Sequence, residues 1–349
     1  MSQFSRRKFL AHSAVGSLAC CVWPRAASAQ GYDPERSAVD MINKPAQDAI
    51  ERGLAYLATR QHDDGSIGSG GYRQNVAVGA LTGMAFMSAG STPGRGPYGE
   101  HLQKCVDHML QNVGDRGFVV VSDSASHGPM YGHGFATLFL AEVYGMTMRG
   151  DIREKLAKAV DLILQTQNED GGWRYQPQRK DADLSVTICQ VMALRAARNA
   201  GLYVPNATID RCIDYVKRSQ NADGGFMYMV QGGQSAFPRS AAGVVALYSA
   251  GIYEGEAIEK GLKYLMRHLP RGGYSRQSHY YYGHYYAVQA MWHAGDDYWK
   301  QWYPRIRDEL ISRQREDGAW MDAICPEYGT AMACVILQMP NNYLPIFQR

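Results

Sequence analysis

The chain alternates two kinds of apolar segment. In DIREKLAKAVDLILQTQ, residues 151–167, Leu156, Ala159, Val160, Ile163 and Leu164 share one helical face while six charged residues mostly take the others, the pattern of a helix half-buried at a surface. The segments NVAVGALTGMAFMSAG, YGHGFATLFLAEVYGM, LSVTICQVMALRAA, SAAGVVALYSAG, YYAVQAMWHAG and YGTAMACVILQM are apolar nearly all round. Such segments read as helices buried on every side. Surface helices therefore alternate with buried ones.

Between the two kinds lies a recurring turn. It reads QHDDGSI from Gln61, QNEDGGW from Gln167, QNADGGF from Gln220 and QREDGAW from Gln314, with weaker copies QNVGDRGF from Gln111 and HLPRGGY from His268. The starts are 46 to 56 residues apart, which predicts six units. The Asp-Gly or Gly-Gly step lets the chain reverse through positive φ, and the aromatic residue that follows can cover the turn. Six outer/inner pairs give twelve helices. An open stack would need polar caps at its ends, yet YGTAMACVILQM, the last buried segment, is as apolar as the middle ones. The prediction is a closed all-α ring, with inner helices forming a barrel and outer helices covering it.

These residues resemble a family. KAVDLILQTQNEDGGW and RGLAYLATRQHDDGS are similar to the QW repeat of squalene and oxidosqualene cyclases, over roughly residues 46–339. The resemblance implies the α/α toroid of six helical hairpins shared by triterpene cyclases and protein prenyltransferase β subunits. GGWRY, DADLSVTICQVMALRAARNAGL and YGTAMACVILQMPNNYLPIFQR look like exported bacterial prenyltransferase/squalene-oxidase-repeat proteins of planctomycete type.

The first 29 residues follow a different logic. SRRKFL at residues 5–10 matches a twin-arginine export motif, an apolar stretch follows, and Ala27-Ser28-Ala29 offers a cleavage site. We therefore expect a signal peptide over 1–29, a single toroid domain over 30–349, and a periplasmic or otherwise extracytoplasmic location. Of 36 basic side chains, Arg6, Arg7, Lys8 and Arg25 leave with the signal, and the remaining 32 face 33 acidic ones. No basic stripe with interleaved aromatics points to nucleic acid, and no later segment approaches the ~20 apolar residues of a membrane span. Five cysteines, Cys105, Cys189, Cys212, Cys325 and Cys334, remain at helical positions without C-x-x-C spacing, so no disulfide framework is expected.

Chemistry is expected where the inner helices begin, because their ends converge on one mouth. HGPMYGHG, RKDADLS, SAFPRS, SHYYYGHYY and CPEYGT stand there, rich in tyrosine and histidine. The family resemblance aligns DADL with the cyclases' DXDD motif: Asp181 and Asp183 match its first and third letters, and Leu184 replaces the last Asp. That alignment implies Asp183 as the acid that protonates an alkene, with Asp181 beside it. On physical grounds alone, Asp183 or Ser185 can equally serve as a helix cap. Candidate ligand-binding residues are Tyr131, His133, Tyr282, His284, Tyr285, Trp292 and Tyr328, whose rings suit an apolar chain, a cation or a sugar face. His127, His133, His279 and His284 match no standard ligand spacing, and the zinc set of prenyltransferases is incomplete, so neither metal nor cofactor is expected. Three functions follow: an exported cyclase-like protein that binds an isoprenoid or triterpene and cyclises or isomerises it through Asp183; a carbohydrate enzyme using Asp181, Asp183 and Glu327; or a non-catalytic toroid presenting its rim to a protein partner.

Overall fold

The computed structural model describes residues 38–147, 149–271 and 278–348, which belong to one compact unit. The export signal expected at the N-terminus lies outside the described residues. Among the described residues twelve α-helices carry the fold: α1 (Lys44–Thr59), α2 (Val76–Ser88), α3 (Gly99–Gln111), α4 (Pro129–Tyr144), α5 (Gly150–Thr166), α6 (Leu184–Asn199), α7 (Asn206–Arg218), α8 (Phe237–Ser249), α9 (Glu256–Met266), α10 (Tyr280–Ala294), α11 (Asp296–Arg313) and α12 (Pro326–Leu337). Among the described residues the only β structure is a set of isolated bridges in the turns. The odd-numbered helices form the outer layer and the even-numbered ones the inner.

The ring closes. Each inner helix packs on the next, α2 on α4, α4 on α6, α6 on α8, α8 on α10 and α10 on α12, and α12 returns to α2. The outer helix α1 seals the join by lying against α12 and α11. Burial follows the predicted pattern: every residue of α2 except Ala77 is buried, whereas α7 buries only Thr208, Ile209, Cys212, Tyr215 and Val216.

The repeated turn is a clamp. The Gln167 amide nitrogen donates to the Gly171 carbonyl of its own turn and to the Thr208 carbonyl of the next outer helix, both at 2.9 Å. Gln61 does the same with Gly65 and His101, Gln220 with Gly224 and Ala257, and Gln314 with Gly318 and Ala49. The last of these ties the final turn to the first helix. The amide oxygens are held from the other side: Gln167 accepts from Arg211, Gln314 from Arg52 and Gln61 from His101.

Each turn also seats its aromatic residue. The Trp173 indole donates to the Ile163 carbonyl at 2.8 Å, and its backbone N–H donates to Thr187 Oγ1 on the following inner helix at 3.1 Å. Trp320 repeats both bonds with Leu310 and Thr330, while the Phe226 N–H donates to Ser240. The turn glycine is required by space as well as conformation. Gly171 has φ +97°, and a Cβ there would lie 2.1 Å from the Arg211 carbonyl oxygen.

The C-terminal tail closes one end of the barrel. Gln338 and Asn341 donate to carbonyls at the end of α2, Arg195 of α6 donates to the Gln348 carbonyl, and Trp292 of α10 to that of Phe347. Beneath it, Glu142 Oε2 accepts the Ile346 N–H at 3.4 Å, and burial lifts this carboxyl to about 7.

Because the tryptophans are fully buried in turns that join neighbouring units, Trp173→Ala and Trp320→Ala are each expected to cost ~3–5 kcal/mol. Gly318→Ala, where φ is +89° and a Cβ would meet the Arg52 carbonyl at 2.6 Å, is expected to destabilise as well. Gly150→Ala, with nothing within 4 Å, is the neutral control. Thermal melts decide; a Gly318→Ala protein as stable as the Gly150→Ala control would contradict the clamp.

Candidate functional site

At the other end of the barrel, where the inner helices start, lies a cavity of about 570 Å³. Every inner helix lends it a first-turn residue: Ala77 and Val78 from α2, Tyr131 from α4, Ser185 from α6, Arg239 from α8, Tyr282 from α10 and Tyr328 from α12. The walls are aromatic. Six tyrosines, Tyr72, Tyr131, Tyr175, Tyr228, Tyr282 and Tyr328, stand with Phe135, His127 and His279 among the lining residues. Arg239 is the charged side chain in that lining, and no Asp or Glu of the described residues joins it.

Three expected ligand-binding residues, Tyr131, Tyr282 and Tyr328, line this cavity. Tyr282 is held by donating its hydroxyl to the Ser185 carbonyl at 3.1 Å. The other four do not reach it. His133 is wholly buried, accepts the Val119 N–H on Nδ1 at 3.2 Å and meets the Ala159 carbonyl through Nε2; it fills the place that Thr187 and Thr330 hold in other units, receiving the N–H of a turn residue. His284 packs behind α10 against Tyr280 and Phe237, with ring centroids 4.5 and 5.0 Å away. Burial holds both imidazoles down, His133 to about 4 and His284 to about 3, so both are neutral. Tyr285 lies one layer deeper, its ring edge-on to Phe135. Trp292, ten residues along α10 from Tyr282, is about 15 Å away at the tail end, where it bonds Phe347.

The reason is geometric. Two residues along a helix is a rotation of about 200°, so when Tyr131 and Tyr282 face the cavity, His133 and His284 face away. On helices apolar all round, the hydrophobic pattern carries no phase to show which side is inward.

Asp183 is also sealed from the cavity. Its side chain is fully buried; Oδ1 accepts the Val186 N–H at 2.9 Å as the cap of α6, and Oδ2 faces Arg174 Nη1 at 3.5 Å. Burial raises this carboxyl to about 6 against the pull of the Val186 N–H and Arg174. Asp181 is half-exposed and pairs with Arg174 Nε at 3.2 Å. The same guanidinium lies over the Tyr175 ring at 4.6 Å and the Tyr228 ring at 5.4 Å, and the two hydroxyls bond each other. The Asp181–Arg174–Asp183 cluster thus stands behind two tyrosines of the wall. Glu327, the third expected acid, stands in the first turn of α12 and accepts from Ser69 Oγ at 2.8 Å and Arg60 Nε at 3.1 Å. Burial works against its charge, but its hydrogen bonds outweigh that and hold it below the usual range.

Sequence reasoning missed Tyr175 and Tyr228 as wall residues. A signal existed: GGWRY and GGFMY repeat Gly-Gly-aromatic-x-Tyr, and the Tyr two places past the buried aromatic faces the cavity in both. At the mouth, His127 Nε2 meets the Tyr72 hydroxyl at 3.2 Å, and His279 directly precedes α10 with φ 55°, a left-handed conformation uncommon outside glycine. Asp322, held up by burial, feels the fields of both histidines. Among the described residues no group of three or more His, Cys, Asp or Glu is arranged to hold a metal ion.

Residues 137–280 match the family model of the squalene-hopene cyclase C-terminal domain. The fold is similar to that of the type II terpene cyclase MstE from Scytonema without ligand, with TM-score 0.62 at 15% identity over 86% of this chain and 99% of that one. A variant of MstE in complex with geranylgeranyl dihydroxybenzoate, its substrate, gives TM-score 0.62 at 14% identity over 88% and 99%. An α-1,6-mannanase of Salegentibacter in complex with α-1,6-mannotriose gives 0.61 at 7% identity over 84% and 99%. No curated protein matches the chain significantly. These likenesses establish the α/α toroid.

The placement of Asp183 generates a prediction. A carboxyl raised by folding from its ordinary 3.8 to about 6 favours the folded state when protonated, so its contribution is present below the ordinary value and is lost as pH rises through about 6. Wild type should lose roughly 2–3 kcal/mol relative to Asp183→Asn between pH 4 and 7, while Asp183→Ala should cost about 0.5–2 kcal/mol through the lost cap. Parallel pH–stability curves for wild type and Asp183→Asn, from denaturant melts, would show an ordinary carboxyl.

Proposed function

Because this chain belongs to the squalene cyclase/prenyltransferase toroid family, we propose that its tyrosine-walled cavity binds an isoprenoid or triterpene-like apolar chain without acid-initiated cyclisation at Asp183. The carrying observation is the wall itself: six tyrosines and Phe135 around about 570 Å³, with no carboxylate among the described lining residues. That volume lies within the range of small-molecule sites. Aromatic rings supply rigid apolar area at low conformational cost, and the hydroxyls of Tyr72, Tyr175, Tyr228 and Tyr282 are hydrogen-bonded within the protein.

Protonating an alkene requires an acid in contact with it. Asp183 has no exposed surface, its Oδ1 is occupied as a cap, and Arg174, Tyr175 and Tyr228 stand around it. Glycoside hydrolysis meets the same obstacle, since it needs two carboxyl groups flanking the sugar bond and Asp181, Asp183 and Glu327 are all tied to arginines outside the cavity lining. Binding alone fits the residues best. We include export in the same proposal, on the strength of SRRKFL at residues 5–10; replacing Arg6 and Arg7 together by Lys should retain the protein in the cytoplasm on cell fractionation.

Geranylgeraniol titrated by calorimetry should bind the wild type. Tyr131→Phe, which keeps the ring, should bind within about threefold of it, whereas Ala77→Trp, which fills the cavity, should abolish the signal with the melting temperature largely kept. Mannotriose should give no heat. Saturable binding of mannotriose that is lost in Tyr131→Phe would instead assign the wall hydroxyls to a sugar.

A further inference from the structure

Among the described residues the cavity's arginine has no carboxylate counter-ion. Arg239, in the first turn of α8, lines the wall. Its Nε donates to the Phe226 carbonyl at 3.0 Å and one Nη2 hydrogen goes to the Gln234 carbonyl. Both partners are neutral backbone. The ionisable groups that act on it are the hydroxyls of Tyr264 and Tyr228, and burial pulls its affinity for a proton down. Among the described residues no carboxylate pairs with it. The contrast with its neighbours is sharp: Arg174 holds Asp181 and Asp183, Arg60 holds Glu327 and Arg313 holds Glu309. Asp322, the carboxyl at the same mouth, accepts the Ile324 N–H at 2.9 Å and feels His279 and His127 rather than Arg239.

Backbone charge adds to the side chain. All six inner helices present their N-terminal ends to this cavity, and each such end carries a partial positive charge. The carboxylates of Asp183 and Glu327 offset two of them and are already matched by arginines. The ends of α8 and α10, beside Arg239 and His279, have no side-chain cap. A half-buried guanidinium with N–H groups that no described residue accepts, in a cavity lined by no carboxylate of the described residues and ringed by helix N-termini, is a site for an anion, since charge-assisted bonds to an oxyanion are the strongest that such a fork makes.

We infer that the ligand is an anionic amphiphile: its apolar chain lies among the tyrosines and its oxyanion head, a carboxylate or phosphate, is held by Arg239. This rests on the isoprenoid-binding reading above and adds the head group to it.

The test compares three probes with the same chain, geranylgeraniol, geranylgeranoic acid and geranylgeranyl phosphate, on the full-length protein by calorimetry at pH 7.5. Wild type should bind one or both anions at least about tenfold more tightly than the alcohol. The anion that gains more identifies the head group. In Arg239→Gln, which keeps a donor for the Phe226 carbonyl, the preference should fall to about one while alcohol affinity holds. In Arg239→Lys, which keeps the charge, most of the preference should remain. Comparing the ratio of affinities within one variant separates head-group recognition from any loss of folded protein. Equal binding of alcohol and anions by wild type overturns the inference but leaves the isoprenoid reading standing, as does an anion preference that survives in Arg239→Gln. If none of the three probes binds wild type, the isoprenoid reading itself fails.

Discussion

The structure depends on one glutamine amide used four times. In each of the units beginning at Gln61, Gln167, Gln220 and Gln314, a single –NH2 group bonds the glycine carbonyl of its own turn and a carbonyl in the first two turns of the next outer helix. A carbonyl at the start of a helix already serves the helix ladder with one lone pair, so the amide takes the second and leaves helix geometry undisturbed. The turn glycine then sits against that helix's backbone one turn later, where no Cβ fits. Register between neighbouring outer helices is thereby set by hydrogen bonds and steric contact together. Applied from Gln314 to Ala49, the same bond turns a row of hairpins into a ring.

Closure determines where chemistry can be. All inner helices run the same way, so one end of the barrel collects six helix N-termini and the other six C-termini. At the C-terminal end the tail and the barrel bond each other both ways: Gln338 and Asn341 donate to carbonyls at the end of α2, while Arg195 of α6 and Trp292 of α10 donate to the tail carbonyls of Gln348 and Phe347. The N-terminal end stays open as the tyrosine-walled cavity. Its electrostatic character follows from the same topology: donors and positive partial charge face inward, the two acids that could neutralise them are bound to Arg174 and Arg60, and no carboxylate of the described residues pairs with Arg239. A scaffold that resembles an acid-driven cyclase thus carries an entrance suited to an anion.

The fold was legible in the sequence because its determinants are local and repeated. Alternation of one-sided and all-round apolar helices, Gly-x-aromatic turns at near-constant spacing, and an apolar final segment with no polar cap lead to twelve helices in a closed ring. The site was only partly legible. Tyr131, Tyr282 and Tyr328 were found because they stand just inside the inner-helix starts, but His133, His284 and Tyr285 share those segments and point elsewhere. Their phase depends on which side of an all-apolar helix faces the barrel axis, a property of the assembled ring. Asp183 was read both as acid and as cap; its bond to the Val186 N–H and its complete burial favour the cap. Arg239, in SAFPRS, is an isolated arginine with no pattern to mark it, and its meaning comes from the lack of a carboxylate partner among the described residues.

The central claim is that this toroid carries an apolar chain in the tyrosine-walled cavity. Native mass spectrometry of the protein purified from its own cells, followed by solvent extraction and identification of whatever is released, tests it most directly. The account predicts a sub-stoichiometric or full-occupancy adduct whose mass and fragmentation are those of an isoprenoid with an acidic head, and its loss in the Ala77→Trp protein. An adduct that proves to be an oligosaccharide, or an isoprenoid retained at equal occupancy when the cavity is filled, would contradict it.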